Sequence, residues 1–218
     1  MQVKMFAVGS LSTNCYLVWS ERTLEAVVVD PGFDSDDDAE KILSAVTEKR
    51  LRVRFVLNTH GHPDHTSGNG YIKTATGASI LIHESDAEML SESGKRLAAL
   101  FGFRVVSPTA DGYLVDGRIV RFGEANLRVL HTPGHSPGSV CLLGDNCVFS
   151  GDTLFAGSVG RVDLPGGSGA ELLRSLRERL ACLREELVLY PGHGPKSTIG
   201  EEKRFNPFLR GGLNHSLF

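Results

Sequence analysis

Apolar and polar positions along the chain change period several times, and each change marks an element. Residues 2–8, 15–20 and 26–30 are β-branched or apolar runs set between polar turns, which predicts three strands. Residues 36–50 switch to the helical period, residues 53–58 form a buried strand, 69–76 a short helix and 79–83 another strand. The second half repeats the logic with strands over 127–130, 140–143, 147–149 and 187–190 and an amphipathic helix over 170–183. Between the halves, 101–117 has no clear period and reads as a surface loop. The segment from Thr59 to His65 follows a strand directly, and Gly61, Pro63 and Gly68 predict a loop there without regular structure. His135, Asp152 and His193 also lie on Gly/Pro-rich loops after strands.

Composition narrows the class. With 218 residues and 41% hydrophobic positions, the chain can bury one sizeable core, and 1–218 is expected to form one domain. A net charge of -3 with mixed signs excludes the basic face that nucleic-acid binding needs. Residues 1–8 are too short an apolar run for a signal peptide and no segment reaches membrane-span length, so a cytoplasmic protein with no membrane partner is expected. The run Asp34, Asp36, Asp37 and Asp38 precedes the first helical segment and suits the positive end of its dipole better than a Ca²⁺ loop. Cys15, Cys141, Cys147 and Cys182 show no paired spacing and are expected as reduced thiols, a Cys141–Cys147 disulfide across the Gly144-Asp145-Asn146 turn being the minor alternative.

The chemistry concentrates in one place. His60, His62, Asp64 and His65 fall within six residues of a chain that has eight histidines in all. Alternate side chains of an extended segment point the same way, so His60 and His62 can share one metal while Asp64 and His65 turn toward a second. Imidazole and carboxylate donors without cysteine favour zinc, iron or manganese.

Thr59-His60-Gly61-His62-Pro63-Asp64-His65 resembles the T-H-x-H-x-D-H signature of the metallo-β-lactamase superfamily. The resemblance continues through Val29-Asp30-Pro31-Gly32, Thr132-Pro133-Gly134-His135, Ser150-Gly151-Asp152-Thr153 and Pro191-Gly192-His193-Gly194, in the order the family has them. It implies an α/β fold, the four-layer αβ/βα sandwich, with the site at one edge of two sheets. It implies two divalent metal ions, zinc first, with His60, His62 and His135 on one, Asp64, His65 and His193 on the other, and Asp152 bridging. Such a pair brings a water toward neutral pKa and polarises an acyl oxygen. Asp64 and Asp152 would then be the catalytic carboxylates, Asp64 ligating and also accepting a hydrogen bond from the attacking hydroxide.

Residues 152–161 and the ending 201–208 are similar to the glyoxalase II and persulfide dioxygenase branch. That implies a thioesterase acting on S-2-hydroxyacylglutathione or a related small-molecule thioester, whose thiolate leaves without protonation. Full-length glyoxalase II adds a C-terminal helical domain with basic residues for the glutathione carboxylates. Here Arg161, Lys203 and Arg204 are the candidate anchors, a solvated surface role being the equal alternative. A different class stays open: a mononuclear-iron persulfide dioxygenase using His60, His135 and Asp152 as a facial triad. A nuclease and a true β-lactamase are weaker readings, the first for want of a basic face and the second for want of a signal peptide. Self-association is left open. Among the remaining candidates, His83, His131 and Tyr190 read as packing residues, Asp30 as a turn carboxylate or a partner of a ligand histidine, and His215 as part of a polar tail.

Overall fold

The computed structural model describes residues 1–91, 94, 96, 98, 99, 102, 103 and 107–210; His215 lies outside the described residues. The first sheet contains β1 (Gln2–Val8), β2 (Thr13–Trp19), β3 (Glu25–Val29), β4 (Arg52–Leu57), β5 (Ser79–Ile82) and β6 (Gly112–Tyr113), side by side in chain order. β1 to β3 are antiparallel, and β3 to β6 run parallel. The parallel connections are made by α1 (Asp36–Glu48), by α2 (Pro63–Thr66) with α3 (Asn69–Thr76), and by the stretch after β5. The second sheet contains β7 (Ile119–Phe122), β8 (Ala125–His131), β9 (Val140–Leu143), β10 (Cys147–Gly151), β11 (Val188–Pro191) and β12 (Ser197–Thr198), with α4 (Gly169–Ser175) and α5 (Ile199–Phe205) beside it.

Period-two alternation sorts the side chains into layers. Tyr16, Val18, Val27, Val29 and Leu57 of the first sheet face Phe122, Leu127, Val129, Leu142 and Phe149 of the second across a shared apolar layer. Their chain neighbours Cys15, Leu17, Ala26, Val28 and Val56 point the other way, onto Ala39, Ile42, Ala45 and Val46 of α1 and Ile72 of α3. On the far side, Leu130, Cys141, Val148 and Leu189 pack on Leu172 and Leu173 of α4, on Leu176 and Leu180, and on Ile199 of α5. Helix, sheet, sheet, helix is the expected αβ/βα sandwich. Cys141 and Cys147 occupy different layers, and both are free thiols, as are Cys15 and Cys182.

Local differences from the expectation have physical causes. Proline at the first helical position gives up an N–H that has no intrahelical partner anyway, so Pro63 opens the one-turn helix α2 where a loop was expected. α1 starts as read, with Ser35 Oγ accepting from Asp38 N and three aspartates in the first turn, but stops at Glu48 because Arg50 turns to φ 54°. The helix expected over 170–183 leaves the α pattern after Ser175 and passes into a π-helical turn at Leu176–Leu180, where Ala181 N donates to Leu176 O. Within 101–117, the described part contributes β6 to the first sheet and buries Leu114, so it is not all surface loop. No helix among the described residues is long and apolar enough to cross a membrane.

Candidate metal centre

Every donor loop leaves the same edge of the two sheets. His60, His62, Asp64 and His65 follow β4, His135 follows β8, Asp152 follows β10 and His193 follows β11. All seven residues meet. His62 Nδ1 lies 2.9 Å from His135 Nε2, and His135 Nε2 lies 3.2 Å from His60 Nε2. His193 Nε2 lies 3.3 Å from His65 Nε2 and 3.2 Å from Asp64 Oδ2. Asp152 stands between the groups, with Oδ1 at 3.3 Å from His65 Nε2 and Oδ2 at 3.5 Å from His135 Nε2. In the sets His60/His62/His135, His60/His65/Asp152 and Asp64/His65/His193, the donor atoms all lie within 4.8 Å of one another.

These contacts fit cations better than they fit protons. Three ring nitrogens aimed at one point cannot satisfy each other, since a proton between any two leaves the third unpaired. Asp152 Oδ1 is buried and makes no aligned hydrogen bond, with His65 Nε2 beside it at 3.3 Å, an arrangement that a cation between the two donors would complete. Burial and the neighbouring imidazoles hold His60 well below its ordinary pKa and His62 down at about 3, so both present free lone pairs at neutral pH. Burial also works against charge on His65, but Asp152, Asp64 and Asp30 together push its pKa well up. Burial would raise Asp64 and Asp152, yet the charge of His65 and the histidines around them hold both below the ordinary carboxylate range.

The candidate donor rings are themselves held. Asp30, which is buried at φ 50°, accepts from Thr59 N at 2.8 Å, from Thr59 Oγ1 at 2.7 Å and from His65 Nδ1 at 3.1 Å. It is thus a turn carboxylate that also partners His65 of the candidate donor set, which leaves His65 Nε2 to face the centre. Thr59 Oγ1 in turn lies 3.1 Å from His60 Nδ1. Two glycines let backbone approach the donor residues: a Cβ at Gly192 would lie 2.1 Å from the Asp152 carboxylate Oδ1, and one at Gly32 would lie 1.5 Å from the backbone carbonyl oxygen of Asp64. From the other half of the chain, Asn14 Nδ2 donates to Pro191 O and Gly194 O, and Tyr16 Oη to Pro191 O, which ties the His193 loop to β2.

The basic residues go elsewhere. Arg161 lines the cleft, but its guanidinium pairs with both oxygens of Asp163 at 2.7 Å, while its carbonyl lies 2.8 Å from His135 Nδ1. Its backbone therefore orients the His135 ring. Lys203 Nζ donates to Leu183 O and Arg204 pairs with Glu185, and neither lines the cleft. The residues of that segment which reach the site indirectly are Glu202 and Asn206, which the sequence reading missed. Glu202 Oε2 accepts from Gly157 N and from Asn206 Nδ2, and Asn206 Nδ2 donates to Phe155 O and Ser158 O, fixing the loop that carries Phe155. The capping pattern Thr198-Ile199-Gly200-Glu201, with Thr198 Oγ1 accepting from Glu201 N, was the signal for this helix. The cleft itself has a volume of about 370 Å³ and adds Leu11, Phe155, Val159 and Leu164 to the donors. His83 and His131 stack at 4.1 Å, and His131 Nε2 donates to Pro137 O, so both support loops. Tyr190 packs on Phe149 and Tyr16 in the core.

The profile of the Metallo-beta-lactamase superfamily matches residues 8–193, and the chain belongs to that superfamily. It is 34% identical to the hydroxyacylglutathione hydrolase GloC of Haemophilus influenzae, over 96% of this chain and 98% of that one. Among solved structures it is similar to the B3 metallo-β-lactamase BLEG-1, with TM-score 0.88 and 33% identity over 96% of this chain and 100% of the other. It is also similar to TTHA1623, crystallised in a di-iron-bound form, with TM-score 0.84 and 38% identity over 95% and 100%. ETHE1 from Myxococcus xanthus gives TM-score 0.80 and 30% identity over 95% of this chain and 84% of the other. The short glyoxalase II-like branch is consistent with these relatives.

Proposed function

We propose that this protein is a two-metal thioesterase of glyoxalase II type, acting on S-2-hydroxyacylglutathione or a related small thioester. The observation that supports the reading is the second donor set: Asp64, His65 and His193 converge beside His60, His62 and His135, with Asp152 between them, which gives a second ion a place to bind. The identity with GloC, whose name states that activity, supports the same choice. His60, His62 and His135 would hold one ion, Asp64, His65 and His193 the other, and Asp152 would bridge. Bound there, zinc, iron or manganese supplies an acidified water and a polarised acyl oxygen. The chain's own residues supply the rest. Asp64, kept ionised beside His65, accepts a hydrogen bond from the attacking water and aligns it. Phe155, Val159, Leu164 and Leu11 wall the cleft and exclude bulk solvent from the acyl carbon. Water oxygen bonds to that carbon as its proton passes to Asp64, the C–S bond breaks, and the sulfur leaves as a thiolate of ordinary pKa ~8.5 without a general acid.

The likeness to ETHE1 favours one second reading, a mononuclear-iron persulfide dioxygenase. In that reading His60, His135 and Asp152 would hold the iron, His135 Nε2 lying 3.2 Å from His60 Nε2 and 3.5 Å from Asp152 Oδ2. One preparation separates the readings: protein purified without added metal or chelator is analysed for metal per chain. It is then assayed for S-D-lactoylglutathione hydrolysis, O₂ uptake with glutathione persulfide, and turnover of a chromogenic cephalosporin, the last because of BLEG-1. Two metals with thioester hydrolysis are expected. One iron with O₂ uptake and no hydrolysis would overturn the thioesterase in favour of the dioxygenase, and preferential cephalosporin turnover would overturn both.

A further inference from the structure

Asp86 is a fully buried carboxylate outside the donor set, in the 3₁₀ helix Glu84–Leu90 that follows β5. Its two oxygens meet donors from two separate loops. Oδ2 accepts from Gly61 N at 2.9 Å and from Ser136 Oγ at 2.6 Å, and Oδ1 accepts from Gly138 N at 2.6 Å. Gly61 stands between His60 and His62, and Ser136 follows His135. One carboxylate therefore clamps the two chain segments that supply all three nitrogens of the His60/His62/His135 group, segments that leave different sheets. The loops are shaped for this approach: a Cβ at Gly138 would lie 2.6 Å from the Asp86 carboxyl carbon, and one at Gly61 would lie 2.6 Å from Met89 Cβ. A backbone bond, Val140 N to Thr59 O at 2.8 Å, ties the same segments nearer the strands, so Asp86 acts at the loop tips.

The Asp64/His65/His193 group is held by different residues. Asp30 takes His65 Nδ1, Thr13 Oγ1 lies 3.5 Å from Asp64 Oδ2, and Asn14 takes the carbonyls on either side of His193.

We propose that Asp86 is the positioning residue of the three-histidine group, setting the affinity of that metal position alone. The inference rests on the two-position reading above. It is tested on metal-free protein by Zn²⁺ titration in competition with a chromophoric chelator. The probe backgrounds are His193→Ala, which leaves the three-histidine group intact, and His62→Ala, which leaves the other group intact. Adding Asp86→Asn keeps the size of the side chain but turns an amide NH₂ toward N–H and O–H donors. In the His193→Ala background it should weaken Zn²⁺ binding roughly 10–100-fold, the range for outer-shell partners of metal ligands. In the His62→Ala background the affinity should stay within about twofold. Thermal unfolding of the metal-free proteins reports separately on stability. Equal weakening in both backgrounds would overturn the proposal in favour of a general structural role, and no weakening in the first would overturn it outright. Ser136→Ala, which deletes one donor and leaves the carboxylate in place, gives the same comparison if Asp86→Asn does not fold, with a smaller loss confined to the His193→Ala background. Wild-type protein that takes up no Zn²⁺ would overturn the two-position reading itself.

Discussion

The two halves of the chain deliver their donors differently. The N-terminal half supplies His60, His62, Asp64 and His65 from one stretch after β4, whereas the C-terminal half supplies His135, Asp152 and His193 one at a time from three strand ends. In the first case local chain geometry, a one-turn helix started by Pro63, sets the relative positions of four side chains. In the second, positions are set by the register of a sheet, so each donor is only as well placed as its strand and the supports around its loop. A contiguous loop should therefore fail as a unit, and a distributed set should fail piece by piece.

That contrast can be broken most directly at the shared residue. Asp152→Ala removes the carboxylate that touches both groups and should abolish turnover and leave fewer than two metals per chain, read by steady-state kinetics and metal analysis. Asp30→Asn attacks the contiguous loop through its anchor. It leaves buried donors on Thr59 and His65 poorly matched, so unfolding free energy should fall by about 1–3 kcal/mol and turnover by roughly 10–100-fold. Full activity in this variant would show that the loop organises itself without Asp30. Asn206→Ala attacks the distributed half, freeing the Phe155 loop while leaving every donor in place. KM should rise several-fold with kcat nearly unchanged, and stability should fall by about 1 kcal/mol in urea titration.

The smallest effect concerns the rim. Asp38 accepts from Gly9 N at the β1–β2 turn that carries Leu11 to the cleft. Burial raises its pKa, but that bond and Lys41 prevail and lower it. A carboxylate lowered in the folded state adds stability above its unfolded pKa of ~3.9, and loses it as pH falls through the lower folded value. Urea midpoints between pH 2 and 6 should thus show a small acid-side decline, worth about 0.5 kcal/mol, that Asp38→Asn lacks. A decline of the same size in the variant would assign it to other groups.

The contiguous donors were the most legible part of the chain, because residue type and spacing within a few positions carry the chemistry. The individual strands were legible from their apolar runs, whereas the four-layer arrangement was implied by the resemblance of the motif series; in the fold, each apolar neighbour pair faces two different helix or sheet surfaces. The shortest edge strands were not legible: β6 and β12 have two residues each and exist by pairing rather than by pattern, whereas the edge strand β1 was read from its residues. Basic side chains misdirected the reading of the last helix, where Lys203 and Arg204 invite ligand roles while Glu202 and Asn206 support the cleft. Asp86 had no signal at all, since its donors are 25 and about 50 positions away and only the fold brings them together.

The ties from Asn14 and Tyr16 to the carbonyl of Pro191 have a consequence in time. They join positions 175 to 177 residues apart. During synthesis at roughly 5–20 residues per second, His193 emerges on the order of 6–26 s after His65, which it follows by 128 positions. Through that interval the His60–His65 cluster exists without the strand that completes it. Closure of these long loops, an event of high contact order, should then be the slow step that brings all seven donors of a newly made chain together.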